Sequence, residues 1–143
     1  MAVQRISPAE TQALLGDGYT YVDVRSVPEY DGGHPEGAVN VPLLNMGPGG
    51  MSPNPDFLGA LGARFPKDAK LVIGCKVGGR SQKAAMMLEQ AGFTALKEMR
   101  GGWSGEVDGF GRIVEKGWST LGLPSSTTPT PGGSWDEIRG RKP

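Results

Sequence analysis

The run Leu71-Val72-Ile73-Gly74 passes directly into Cys75-Lys76-Val77-Gly78-Gly79-Arg80-Ser81. A stretch with Ala84, Ala85, Leu88 and Ala91 at helical spacing follows and is closed by Gly92. An apolar run bounded by a glycine-rich loop and an amphipathic segment reads as strand, tight loop and helix. That order leaves the chain little freedom, because the helix must return across a sheet to bury its apolar face. The loop then sits at a helix N-terminus, where unpaired N–H groups face its centre and the dipole favours negative charge. Cys75, the single cysteine of the chain, opens that loop. With Lys76 and Arg80 beside it, the setting favours the thiolate, the nucleophilic form of the side chain.

The remaining elements follow from local signals. Ser7-Pro8-Ala9-Glu10 is a capping box with proline at the first helical position, predicting a helix to Leu15 with Ala9, Ala13 and Leu14 inward. Tyr19 to Val24 is β-branched and aromatic and reads as a strand. Ser26-Val27-Pro28-Glu29 opens a second short helix, 32–37 a loop, and Ala38 to Pro42 a short strand. The glycine- and proline-rich segment 44–55 is expected to be irregular loop. A helix restarts with Asn54 as cap and Leu58 and Leu61 inward, and Thr94 to Met99 is the next strand candidate after the central helix. Strands alternating with helices predict a small α/β domain with parallel crossovers. In such sheets ligands lie beyond the carboxyl ends of the strands, which is where Cys75, Asp23 and Arg25 all fall.

From Pro124 the chain is rich in Ser, Thr, Pro and Gly, a composition that buries too little surface to offset the entropy of ordering. The expected division is a domain over 1–123 and a flexible tail over 124–143. The charge balance is even, 15 basic against 15 acidic residues, which argues against a nucleic acid or an anionic membrane as partner. One cysteine and one histidine cannot furnish a structural zinc set, and neither a metal nor another cofactor is implied. The opening Met1 to Arg5 lacks the apolar core of a signal peptide and no run has the length of a membrane span. A reducing, cytoplasmic setting and a monomer are the corresponding expectations.

The bland alternative for Cys75 is a small core residue. Its glycines and cations weigh against that. Val77, Gly78 and Gly79 complete a loop whose backbone can close on a bound atom. Arg80, at the loop's end, can tie it down or hold an anion, whereas Lys76 has the ordinary fate of a solvated charge. Among the supporting residues, Arg25 and Glu29 stand four apart, the spacing of a helical ion pair. Asp23, at the strand end, can orient the loop. His34, in a turn between Gly33 and Pro35, reads as a hydrogen-bonding strut rather than a general base.

These residues resemble a known family. Asp23-Val24-Arg25 with Glu29-Tyr30, Gly33-His34, Gly37-Ala38, Asn40 and Pro42 looks like the N-terminal signature of rhodanese-like domains. Cys75-Lys76-Val77-Gly78-Gly79-Arg80 is similar to the Cys-x-x-Gly-x-Arg loop of its single-domain thiosulfate sulfurtransferases, and 50–58 resembles the plant and bacterial members. The resemblance implies a three-layer domain with a small, mostly parallel central sheet flanked by helices. It also implies a reaction in which a Cys75 persulfide carries a sulfane sulfur from thiosulfate, or a related small anionic donor, to cyanide or a thiol. With one cysteine, an external thiol such as thioredoxin or glutathione is the implied acceptor. Departures from the pattern are Pro35 in place of an aliphatic residue, the late Trp118 and Gly122-Leu123-Pro124, and an apparent insertion at 106–114 with a turn about Asp108-Gly109.

Two other functions compete. A phosphatase or arsenate reductase of the same kind of fold also sets a thiolate in an anion loop. Its loop is one residue longer, however, than the four residues between Cys75 and Arg80. A non-catalytic sulfur-carrier or binding module is the third, and the presence of Cys75 speaks against it.

Overall fold

The computed structural model describes residues 3–77 and 79–140. In chain order the elements are β1 (Gln4–Ile6), α1 (Pro8–Leu15), β2 (Thr20–Asp23), α2 (Val27–Asp31), β3 (His34–Pro35), β4 (Val39–Asn40), β5 (Leu44–Gly47) and β6 (Gly50–Pro53). They continue with α3 (Phe57–Arg64), β7 (Lys70–Gly74), α4 (Gly79–Gln90), β8 (Ala95–Met99), β9 (Glu106–Val107), β10 (Ile113–Glu115), β11 (Ser125–Ser126) and α5 (Trp135–Arg139).

Alternation within the strands divides the core in two. Val22, Leu71, Ile73 and Leu96 face a large apolar cluster completed by Phe57 and Leu61 of α3, Ala84, Ala85 and Leu88 of α4, and Trp135 and Ile138 of α5. Tyr21, Val72 and Met99 face a second cluster with Ile6, Tyr30 and Trp118. The sheet between them has five strands in the order β1-β8-β7-β2-β4, and each pairing is parallel. This is the three-layer α/β arrangement expected, with β7 at its centre. Register sets Asp23 opposite Gly74 and Arg5 opposite Glu98. The ends of β2 and β7 are therefore level, and the loops that leave them share one edge.

Several local expectations are corrected. In α1 the inward residues are Pro8 and Thr11, while Ala9 and Ala13 are exposed. Thr11 donates its hydroxyl proton to the Ser7 carbonyl at 2.9 Å, which lets a polar side chain occupy the buried face. In α3 Phe57 and Leu61 point inward and Leu58 does not. Asn54 is not the cap: Asp56 holds that position, and Asn54, two residues earlier, accepts from the Asp56 N–H at 3.0 Å. The segment expected to be irregular at 44–55 is largely an antiparallel hairpin of β5 and β6, with Gly50 at φ +102° beside the Pro48-Gly49 turn. The 32–37 loop contains β3, which pairs with β11.

That last pairing begins the largest correction. The expected flexible tail is seated on the domain over 125–139. Beyond β11, the Asn40 N–H donates to the Gly133 carbonyl at 2.7 Å and the Thr130 N–H to the Tyr30 hydroxyl at 3.2 Å. Ser134 caps α5, and Trp135 and Ile138 enter the larger core cluster. Among the described residues no helix is long and apolar enough to cross a membrane.

Candidate active site

Cys75 stands immediately beyond β7, and the residue before it explains how tightly it is held. A Cβ on Gly74 would overlap the buried Tyr21 hydroxyl, so only glycine fits where β2 and β7 lie level. Burial also drives the Tyr21 hydroxyl well above its ordinary pKa, which keeps it neutral. Cys75 itself is 1 % exposed and joins the edge of the larger apolar cluster. Lys76, Val77 and Gly79, which follow, are exposed, so the loop climbs from a buried sulfur to the surface. Gly78 lies outside the described residues.

The turn after β8 clamps this loop from one side. The Trp103 N–H donates to the Cys75 carbonyl at 2.8 Å and the Ser104 N–H to the Lys76 carbonyl at 2.9 Å. Gly102, at φ +57°, has no room for a side chain, because a Cβ would meet those carbonyls at 2.6 and 2.5 Å. Across a trans peptide the N–H points opposite to the preceding C=O, so the Lys76 and Val77 N–H groups are directed away from the clamp. They are available to an anion on the other side of the loop.

Arg80, in the first turn of α4, donates to both carboxylate oxygens of Glu29, at 2.7 and 3.0 Å. Glu29 also accepts from the N–H and hydroxyl of Ser26 at 3.1 and 2.9 Å, which fixes it at the start of α2. Burial opposes its charge, yet the hydrogen bonds from Arg80 and Ser26 prevail and bring the carboxyl down to about 2. The bond to Glu29 raises Arg80 above its ordinary value despite partial burial.

The expected Arg25–Glu29 pair is not made. Arg25 is instead buried against Asp23, its Nη2 at 2.7 Å from Oδ2, and also donates to the Gly33 carbonyl at 2.6 Å. Burial works against its charge, but Asp23 outweighs burial and raises its pKa. Trp103 covers the guanidinium at 5.1 Å, which links the bend after β2 to the clamp under Cys75. Asn40 completes the bend, donating to the Asp23 and Arg25 carbonyls at 2.9 Å each. His34 is buried and stacked on Tyr30 with ring centroids 3.8 Å apart, its Nδ1 donating to the Tyr30 carbonyl at 2.8 Å. These bonds tie His34 to α2, and none of them reaches the cysteine loop.

Sequence reasoning passed over a polar chain that starts at the sulfur. Cys75 Sγ donates to Ser81 Oγ at 3.3 Å, and Ser81 donates a short hydrogen bond to Oε2 of Glu98. The other oxygen of Glu98 accepts from Arg5 Nε at 2.5 Å, and Arg5 Nη2 reaches Glu106 at 3.0 Å. Ser81 and Glu98 are both buried. The available signal was parity: Glu98 shares the strand face of Leu96, where an acid needs a reason to be. Among the described residues no group of three or more His, Cys, Asp or Glu side chains could hold a metal ion.

Comparison with known proteins places this geometry in context. The profile of the family described as "Rhodanese-like domain" matches residues 7–106. Thiosulfate sulfurtransferase 16, chloroplastic, of Arabidopsis thaliana is 40 % identical over 120 residues, covering 84 % of this chain and 90 % of its own. Protein HIGH ARSENIC CONTENT 1, mitochondrial, of the same plant is 33 % identical over 106 residues, covering 74 % of this chain and 63 % of its own. Among solved structures, Rv0390 from M. tuberculosis superimposes with a TM-score of 0.74 at 28 % identity, over 90 % of this chain and all of its own.

Proposed function

The chain belongs to the rhodanese-like domain family, and we propose that it is a sulfurtransferase that moves a sulfane sulfur through a Cys75 persulfide. The observation that carries this reading is the placement of Cys75 at the end of β7, under a short loop whose first two carbonyls are held by Trp103 and Ser104. Two N–H groups are thereby turned away from the clamp, and the family's thiosulfate sulfurtransferase relatives fit that use.

The chemistry is a displacement at sulfur. The Cys75 thiolate attacks the outer sulfur of thiosulfate, an S–S bond forms, and the sulfur–sulfur bond of thiosulfate breaks with its electron pair leaving on sulfite. The persulfide anion that results bears its charge on the outer sulfur, where oriented N–H groups stabilise it. Cyanide or a thiolate then attacks that sulfur and regenerates the Cys75 thiolate. A lone cysteine has no resolving partner of its own, so a cellular thiol such as glutathione or thioredoxin is the acceptor this reading requires.

The phosphatase or arsenate reductase alternative has one feature in its favour, the relative named for arsenic content. Against it stand the short loop and Arg80, whose guanidinium is engaged by Glu29 and not presented to a tetrahedral oxyanion. The deciding assay follows thiocyanate formed from thiosulfate and cyanide, beside arsenate reduction and aryl phosphate hydrolysis by the same preparation. Thiocyanate formation that disappears in Cys75→Ala supports the proposal. Activity on arsenate or the phosphate ester alone overturns it, and inactivity on all three leaves a binding module.

A further inference from the structure

The apparent insertion at 106–114 forms most of the β9–β10 hairpin, and the sulfur transfer just described makes no use of it. Val107 and Ile113 stand opposite each other across its strands, 58 % and 59 % exposed, Val114 is 63 % exposed, and Phe110 at the tip is 86 % exposed. None of the four belongs to either core cluster. A lone exposed apolar side chain needs no reason, but four on one short hairpin mark a surface made to be covered. The tip is also formed in advance. Asp108 accepts from the Phe110 and Arg112 N–H groups at 2.8 and 3.0 Å, and the Arg112 guanidinium lies over the Phe110 ring at 5.9 Å. The root is tied by Glu106 to Arg5 at 3.0 Å and by Glu115 to Arg100 at 2.5 Å. An aromatic ring and an arginine held this way lose little freedom on binding, and they are the side chains that dominate interface energies.

The hairpin grows out of the clamp under Cys75. Ser104, whose N–H holds the Lys76 carbonyl, precedes Val107 by three residues, so at most about 10 Å of backbone separates them. On the cysteine loop Lys76 and Val77 are exposed as well. A protein footprint of about 800 Å² on each side spans hairpin and loop together, which a small thiol such as glutathione does not. Over 75–80 and 100–117 the exposed charged side chains among the described residues are Lys76, Arg112 and Lys116, all basic. Glu106 and Glu115 are engaged by arginines and Asp108 by the turn. A second copy of this chain would set these cations against each other across a two-fold axis, whereas an acidic partner complements them. A lipid surface would accept the same charges but brings no thiol to the neighbouring loop.

We propose that the β9–β10 hairpin is the docking surface for a protein acceptor of the sulfur, a dithiol protein whose apolar surface is edged by acidic side chains. The inference rests on the sulfurtransferase reading and assigns its acceptor. The acceptor thiolate attacks the outer sulfur of the Cys75 persulfide, and the bond to Cys75 breaks with its electron pair left on the Cys75 thiolate. The acceptor's second thiol then closes a disulfide and expels the transferred sulfur as hydrosulfide, which keeps one of the two thiol protons while the other passes to solvent. The acceptor is oxidised by two electrons and the sulfane sulfur is reduced by two.

The test uses the full chain with thiosulfate and follows hydrosulfide released by reduced thioredoxin and, in parallel, by glutathione, with thiocyanate formed from cyanide as the reference. Phe110→Ser and Arg112→Glu are each expected to raise the half-saturating thioredoxin concentration about tenfold, while the rates with glutathione and cyanide stay within about twofold of the parent. Added salt raises that concentration in the parent protein more than in Arg112→Glu. Thermal melts verify that both variants are folded. A half-saturating thioredoxin concentration unchanged in both variants overturns the proposal, as does an equal loss with glutathione. Sedimentation with phosphatidylserine vesicles, or a dimer of the chain, that Phe110→Ser abolishes also overturns it, because the hairpin then has another occupant. Absence of thiocyanate from the parent protein sinks the sulfurtransferase reading and the docking together, whereas thiocyanate with unaltered hairpin variants sinks the docking alone.

Discussion

Arg80 and Glu29, 51 positions apart, meet through two hydrogen bonds of 2.7 and 3.0 Å that join the far end of the cysteine loop to the start of α2. A planar guanidinium on a carboxylate fixes orientation as well as distance, so this pair sets the span of the loop. Lys76 projects from the same loop into solvent. Arg80→Ala is therefore expected to lower thiosulfate turnover by about tenfold or more, through misplacement of the loop, and Lys76→Ala by clearly less. Steady-state rates of thiocyanate formation compare the two. Equal losses, or the larger loss for Lys76→Ala, contradict the roles assigned.

The same pair makes stability depend on pH. Glu29 has a folded-state value of about 2 against an ordinary 4.5, a depressed carboxyl. Its contribution is complete above the ordinary value and is lost as pH falls through the window toward 2. At neutral pH the parent protein should exceed Glu29→Gln by about 1 kcal/mol, a modest figure because the pair is partly screened by water. Urea unfolding at successive pH steps measures the gap, which is expected to close across that window. A gap that persists at the acid end, or widens, contradicts the assignment.

Gly102 tests the clamp beneath the loop. Alanine there must both tolerate φ +57° and find space against the Cys75 and Lys76 carbonyls, and it has neither. The expected result for Gly102→Ala is a folded protein by circular dichroism with sulfur transfer reduced by about tenfold or more. Full activity in a folded variant means that the clamp does not position Cys75.

Trp135 tests the seating of the last segment. It is 7 % exposed and enters the same cluster as Phe57 and Leu61. Trp135→Ala should cost about 3–5 kcal/mol in denaturant unfolding. A cost within about 0.5 kcal/mol, the size of an ordinary surface substitution, means that the segment adds nothing to the core.

Those residues mark where the sequence could be read and where it could not. β7 and α4 were legible because strand propensity, a glycine loop and helical spacing follow one another within a few positions, and β2 because its β-branched and aromatic run is itself a local signal. The 125–139 segment was not, because its Ser, Thr, Pro and Gly content argues for disorder locally, while the bonds that hold it go to Tyr30, His34, Pro35 and Asn40 far earlier in the chain. β1 was missed for a related reason: three residues carry no periodicity, and only their pairing with β8 makes them a strand. At the site, Cys75 and its loop were evident. Arg80 was assigned a tethering or anion-holding role without its partner, and Glu29 was matched with the wrong arginine, since helical spacing cannot see that Asp23 lies closer to Arg25 in space. Arg5 and Glu98 came together through sheet register, and Ser81 through the packing of α4 on β8, neither of which a local pattern reveals.

The claim on which the rest depends is that one sulfur atom, on Cys75, carries the transferred sulfur. Intact mass of the protein after incubation with thiosulfate measures this directly. The account predicts the gain of a single sulfur, removed by cyanide and absent in Cys75→Ala. No gain in the parent protein, or the same gain in Cys75→Ala, contradicts it.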